Sequence, residues 1–230
     1  MRLYTIGDLH LSLGNSKPMD IFGDSWTDHT KKLFDNFSIL QPDDLTVICG
    51  DLSWGMHIED CIEDFKFIDS LPGKKIILKG NHDYWWNTMN KTLSVFENNS
   101  ISSINILNNN SFEFKNYSIC GTRGWFFEEE SGTSHDKKIM NREILRLENS
   151  LKSAKNSKII VFLHYPPVYH DYKCNEIIEL LKYYEVRLCC YGHIHGKGIK
   201  SAINGWFEGI EYKLVSADAL NFKPLELIGI

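Results

Sequence analysis

Three times between Leu3 and Phe96 the chain repeats one arrangement: a short apolar run, a polar motif opened by glycine, then a stretch with helical spacing. Residues 3–6 run into Gly7-Asp8-Leu9-His10, residues 45–49 into Gly50-Asp51, and residues 75–78 into Gly80-Asn81-His82-Asp83. Helical spacing follows at 27–40 (Leu33, Phe34, Phe37, Leu40), where Asp28 stands in a capping position, at 57–71 as far as Pro72-Gly73, and at 84–96. Such repetition predicts βαβ units and a mostly parallel sheet. Ligands of these sheets gather at the carboxyl ends of the strands, where all three motifs fall.

The second half is less regular. Residues 104–107, 111–114 and 117–120 read as short strands, split by Asn108-Asn109-Asn110 and Lys115-Asn116, that form hairpins and begin a second sheet. Residues 124–136 mix aromatics with Glu128-Glu129-Glu130 and read as a long surface loop. An amphipathic helix is expected over 137–154 and another helix over 175–184. Apolar strands at 158–163 and 187–191 end at His164 and at Gly192-His193-Ile194-His195. Final strands are expected at 207–216 and 224–228. With no repeat, linker or low-complexity tail, 1–230 reads as a single domain.

Composition excludes several classes. Hydrophobic residues make 43% and charged residues 24%, as in an ordinary soluble protein. The N-terminus has no signal-peptide pattern, and no apolar run approaches the roughly 20 residues of a membrane span. Six cysteines with no C-x-x-C pair read as free thiols of a reducing compartment, which suggests a cytoplasmic protein that no membrane holds. A net charge of −5 argues against general nucleic-acid binding, although bound divalent cations could still make one site positive.

Each motif has a chemical reading. Asp8 and His10 stand at i and i+2, on one side of an extended segment, and could grip one ion. Asp51 ends the strand beside them, where its two oxygens could bridge two ions. Asn81 offers a neutral carbonyl oxygen. His82 points elsewhere and suits substrate contact, with Asp83 orienting its imidazole and raising its pKa, while Asn81 or Asp83 could equally cap a helix. His164 and the pair His193 and His195 complete the set. Taken singly, these signals also describe turns and packed histidines. Together, at strand ends, they spell a site for two divalent ions, and oxygen with imidazole suits Mn, Fe or Zn. Two such ions side by side serve in-line displacement at phosphorus.

The five blocks resemble the calcineurin-like metallophosphoesterase superfamily, whose pattern is D-x-H, G-D, G-N-H-[DE], H and G-H-x-H. The resemblance spans Asp8 to His195 and implies an α/β fold, a four-layer α/β/β/α sandwich. It implies one ion held by Asp8, His10, Asp51 and His195, and another by Asp51, Asn81, His164 and His193. His82 matches the catalytic histidine and Asp83 its partner, with attack by a metal-bridging hydroxide. The second block lacks the Asp-Arg pair of serine/threonine protein phosphatases, and the chain is too short for the added regions of the repair nucleases that share the blocks. Small phosphohydrolases and phosphodiesterases fit best, with manganese as the expected metal and a small phosphoester as the partner. A phosphomonoesterase, a protein phosphatase and a non-enzymatic scaffold on the same fold are the alternatives, and retention of His82 disfavours the scaffold. Nothing in the chain specifies an oligomeric state.

Weaker signals surround the blocks. Arg123, between Thr122 and Gly124 after a strand, could clamp a phosphate. Trp54, Trp85, Trp86, Trp125 and Tyr165 adjoin the blocks and could stack a ring, with core packing the simpler reading. His29, His57, His135 and His170 lack motif context and are expected at the surface.

Overall fold

A computed structural model describes residues 1–15, 17–126 and 133–227. Strands β1 (Leu3–Ile6), β2 (Leu45–Ile48), β3 (Lys74–Ile77) and β4 (Ile104–Ile106) come first. After them come β5 (Phe112–Phe114), β6 (Tyr117–Thr122), β7 (Lys158–Leu163), β8 (Val168–Tyr169) and β9 (Tyr172–Lys173). The last are β10 (Leu188–Tyr191), β11 (Gly205–Phe207), β12 (Ile210–Leu214) and β13 (Leu225–Glu226). The helices are α1 (His29–Phe37), α2 (Ile62–Ser70), α3 (Met89–Asn98), α4 (Ser134–Lys152) and α5 (Asn175–Tyr183).

One sheet has the order β13-β1-β2-β3-β4, and β1 to β4 are parallel. The other has the order β11-β12-β10-β7-β6-β5, with parallel β6, β7, β10 and β12 and an antiparallel strand at each edge. The predicted hairpins are therefore only partly observed. Residues 112–122 form the β5–β6 hairpin that opens the second sheet, whereas Ile104–Ile106 extends the first sheet beside β3.

The central strands are largely apolar because both faces of each sheet are covered. Leu3, Val47, Ile76 and Leu78 of the first sheet meet Ile160, Phe162, Leu188 and Cys190 of the second in one core. The alternate residues Tyr4, Ile6, Ile48 and Ile77 face Leu33 and Phe37 of α1, Phe65 and Ile68 of α2, and Phe96 of α3. On the far side Val161, Leu163, Cys189 and Tyr191 pack with Leu147 and Leu151 of α4 and Ile177 and Leu181 of α5.

Helix boundaries move for local reasons. The expected span 57–71 starts as a 3-10 turn, Ile58–Cys61, in which the Asp60 carboxylate accepts from the His57 N–H at 3.0 Å. It ends where the buried Lys75 ammonium donates to the carbonyls of Asp69, Leu71 and Gly73. Residues 84–88 are not helical. Trp85 is buried with its indole N–H on Asp83 at 3.0 Å, and α3 begins only after Thr88 caps the Lys91 N–H. Asp28 adopts φ 52° and makes no capping bond. His29, expected at the surface, is buried against Trp26 and Phe222. Helix α4 opens with a capping box between Thr133 and Asp136, so the expected loop is shorter than 124–136. Glu128-Glu129-Glu130 lies outside the described residues.

Candidate metal centre

The five motifs meet at the carboxyl ends of the strands of both sheets. The meeting depends on backbone that few residues adopt. Asp8, His10, Asp51 and His193 all have positive φ, at 58°, 46°, 51° and 71°. Asp8 and His10 therefore do not project from an extended strand, as their i, i+2 spacing suggested. β1 stops at Ile6, and two left-handed residues turn both side chains inward. Glycine makes room for them. A Cβ on Gly80 would lie 2.0 Å from Asp51 Oδ1, and one on Gly192 would lie 2.4 Å from Asp8 Oδ2.

Two overlapping sets of donor atoms result. Asp8, His10 and His195 converge, as do Asp8, Asp51 and His164, each set within 4.8 Å. Asp51 Oδ2 lies 3.7 Å from His10 Nε2 and 3.6 Å from His164 Nε2, so one carboxylate oxygen reaches both sides. Asn81 Oδ1 stands 2.5 Å from His164 Nε2 and 2.9 Å from His193 Nδ1. The Nδ1–H of His164 donates to the Cys49 carbonyl at 3.0 Å, which turns the lone pair of Nε2 toward Asn81 and Asp51.

The donor set fits divalent cations. Asp8 and Asp51 are buried together, and a pair of buried carboxylates needs positive charge. Burial and then the Asp83 and Asp8 charges push the Asp51 carboxyl well up from its ordinary range. For Asp8, burial pushes upward too, but the neighbouring His195, His164 and His10 pull the carboxyl below its usual value. Burial holds the imidazoles of His10 and His164 below their usual value and takes His193 to about 3, which keeps the rings neutral and their lone pairs free. Among the described residues, His10 Nδ1 and His195 Nε2 are buried without a hydrogen-bond partner. His195 differs from the rest. Burial lowers it, yet Asp8 and Asp218 prevail and lift it to about 10, so a cation arriving at Nε2 would displace a proton.

Asp218 escaped the sequence reading. It accepts from His195 Nδ1 at 2.8 Å and from the Gly196 N–H at 2.9 Å, and so orients the ring. Its signal was its place a few residues beyond β12, the same kind of position as the other motifs.

Asp83 does not orient His82. Its carboxylate accepts from the main-chain N–H groups of Asp51, Leu52 and Gly80 at 2.9, 2.9 and 2.7 Å, and from the Trp85 indole. It binds loop to loop. Among the described residues no hydrogen bond joins it to His82, whose Nδ1 is buried without a partner. Nor is the His82 pKa raised: burial, His164 and Lys17 bring it down to about 4. Trp54 positions the imidazoles instead, stacked on His10 at 4.9 Å and tilted against His82 at 4.4 Å.

A cavity of about 790 Å³ opens onto His10, His82 and His195, with Met19, Phe22, Trp26, Trp54, Met56 and Tyr84 on its apolar walls. The Lys17 ammonium lies 3.0 Å above the Trp54 ring. Arg123 is not among these residues. Its side chain turns into a different cavity and pairs with the buried Glu143 at 3.3 Å. Its main chain does support the centre, since the Arg123 carbonyl accepts from the His164 and Tyr165 N–H groups. Of the other aromatics, Tyr165 packs 4.3 Å from His193, whereas Trp86 lines the Arg123 cavity and Trp125 lies against the Arg123 guanidinium.

Solved structures of similar fold include phosphopantetheinyl hydrolase (PptH) from Mycobacterium tuberculosis, with a TM-score of 0.61 and 11% identity over 100% of this chain and 96% of that one. The protein of unknown function AQ665 from Aquifex aeolicus gives 0.54 and 17%, over 98% and 95%. TT1561 of Thermus thermophilus gives 0.57 and 10%, over 98% and 97%. No curated protein matches the chain. No helix among the described residues is long and apolar enough to cross a membrane. The model of one family, calcineurin-like phosphoesterase, matches residues 1–197, and that span contains all five motifs. The chain belongs to the calcineurin-like phosphoesterase family and is a metal-binding hydrolase of phosphoesters.

Proposed function

We propose that the chain hydrolyses small phosphodiester or nucleotide-like substrates with two divalent metal ions, manganese being the expected metal. The observation that carries this reading is the position of Asp51 Oδ2, 3.7 Å from His10 Nε2 and 3.6 Å from His164 Nε2. On this reading Asp8, His10, Asp51 and His195 hold one ion, and Asp51, Asn81, His164 and His193 hold the other. Such ions polarise a phosphoryl oxygen and lower the pKa of a bound water. His82 faces the cavity as a neutral imidazole and donates an N–H to the leaving oxygen. Trp54 holds His82 and His10 in place. Lys17, rather than Arg123, supplies the side-chain cation at the cavity, and the apolar wall receives the ring or chain of the leaving group.

We read residues 1–230 as one domain. The three cores, lying in turn between helices and sheet, sheet and sheet, and sheet and helices, support the four-layer α/β/β/α sandwich. All six cysteines are buried and unpaired, which supports a cytoplasmic setting.

The test is a panel of bis(p-nitrophenyl) phosphate, p-nitrophenyl phosphate, cyclic nucleotides, a phosphopeptide and duplex DNA, with Mn²⁺, Fe²⁺ and Zn²⁺. The small diesters or nucleotides should give the highest kcat/KM. A clear win for the phosphopeptide or DNA overturns the substrate reading, a win for p-nitrophenyl phosphate favours a monoesterase, and no turnover with any metal favours a scaffold.

A further inference from the structure

The cavity that receives Arg123 is a site of its own. It measures about 520 Å³, and its charged lining is Lys79, Arg123, Arg142, Glu143 and Arg146. Four cations therefore face one carboxylate, in a chain whose net charge is −5. Glu143 is fully buried and already committed. Its Oε1 takes Arg146 at 2.7 Å and Arg123 at 3.3 Å, and its Oε2 accepts from Thr122 Oγ1 at 2.7 Å. Among the described residues, neither Lys79 nor Arg142 has an ion pair within 4 Å, and Arg123 Nε is buried without a hydrogen-bond partner.

Arg123 and Arg146 serve folding as partners of the buried Glu143, but no carboxylate pairs with Lys79 or Arg142 among the described residues. Burial lowers the Lys79 pKa, and Arg123 lowers it further. Burial lowers that of Arg123 as well. A bound anion would offset the repulsion among the half-buried Lys79 and Arg123 and the exposed Arg142. Asn87 and Thr88, at the N-terminus of α3, stand on the same wall and add amide and hydroxyl donors beside the positive end of the helix. The space exceeds that of a single phosphate, and the uncompensated charge calls for more than one negative group.

We propose that this cavity binds a compact polyanion carrying two or more phosphate groups, at a site separate from the metal centre. Arg123 and Arg146 hold the anion from the Glu143 side, while Lys79 and Arg142 supply the charges that the protein itself leaves unmatched. The site connects with the metal centre through main chain, since Lys79 directly precedes Gly80-Asn81 and the Arg123 carbonyl takes the His164 N–H, and through the ring contacts from Arg123 by Trp125 and Tyr165 to His193. The assignment does not depend on the substrate reading above.

The experiment is a calorimetric titration of the full chain, stripped with a chelator, with inorganic tripolyphosphate, and with citrate as a carboxylate comparison. Tripolyphosphate should bind at one site per chain and more tightly than citrate. Arg142→Glu, an exposed position with no ion pair to lose, should weaken it by at least about tenfold, as the reversal of one charge-assisted contact does. Lys79→Met should weaken it in the same direction, and His10→Ala should leave it unchanged. Absence of binding, binding indifferent to Arg142→Glu, binding lost in His10→Ala, or a preference for citrate would each overturn the proposal. Circular dichroism of each variant separates a lost site from a lost fold.

Discussion

The Asp83 carboxylate accepts the main-chain N–H of Asp51 at 2.9 Å with one oxygen, and the same oxygen takes the Gly80 N–H at 2.7 Å. The third motif thereby holds the second in the left-handed turn that aims Asp51 into the centre. Asp83→Asn would point an amide at some of these donors. Each buried N–H left without an acceptor costs about 1–3 kcal/mol. The variant should melt at least about 5 °C lower and bind metal less well. A variant of unchanged stability, altered only in its pH–rate profile, would restore the role first read for Asp83, that of orienting His82.

Gly80→Ala and Gly192→Ala test the close approaches at the centre. The added methyl would fall 2.0 Å from Asp51 Oδ1 or 2.4 Å from Asp8 Oδ2. Overpacking of this kind costs about 1–3 kcal/mol, and the atoms that must yield are carboxylate oxygens of the site and, for Gly80, the Asp51 main-chain nitrogen as well. Both variants should fold and lose metal affinity, as followed by elemental analysis. Full metal content in either would show that these oxygens are not ligands.

His82→Ala should keep both ions and lose turnover by about 10²–10⁴-fold, because the imidazole faces the cavity and stands outside both convergent sets of donor atoms. Metal content and kcat of the same sample decide it. Loss of an ion would make His82 a ligand.

Much of this was legible in the sequence because the motifs sit at strand ends, and strand ends are where apolar runs stop. The apolar runs gave the strands, and the Asp, Asn and His spacing gave the residues that the fold brings together. What stayed hidden depended on contacts distant in sequence or on dihedral angles. The i, i+2 spacing of Asp8 and His10 suggested an extended segment, whereas positive φ at both residues does the converging. Asp83 looked like a partner for its neighbour, yet its acceptors serve main chain 30 and more residues away. Arg123 follows a strand in the manner of a site residue. Its direction was set by Glu143, 20 residues on, whose burial within α4 no local pattern announced.

Stability should fall in alkali. Burial raises every cysteine, Cys174 to about 11 and Cys61 and Cys120 to about 12, with Cys49, Cys189 and Cys190 well above the ordinary thiol. An unfolded thiol titrates near about 8.5. Above that pH the unfolded chain releases protons that the folded one keeps, so the stability present below it is lost as pH rises. Each such group contributes a slope of about 1.4 kcal/mol per pH unit. Lys75, which burial lowers to about 8, acts in the opposite sense, as do Lys17 and Lys79, but they are three groups against six. Denaturant midpoints in reducing buffer should be lower at pH 10.5 than at pH 8. Equal or higher midpoints would mean that the thiols are not buried as described.

On the proposed reading seven side chains hold two ions, with Asp51 shared. Elemental analysis of the chain after loading with Mn²⁺ and removal of excess tests it most directly, with phosphodiesterase activity followed in the same preparation. Close to two ions per chain are expected on this reading, with activity lost on chelation and restored by Mn²⁺, and both ions weakened together in Asp51→Asn. A fully active protein that reproducibly contains one ion, or none, would contradict it.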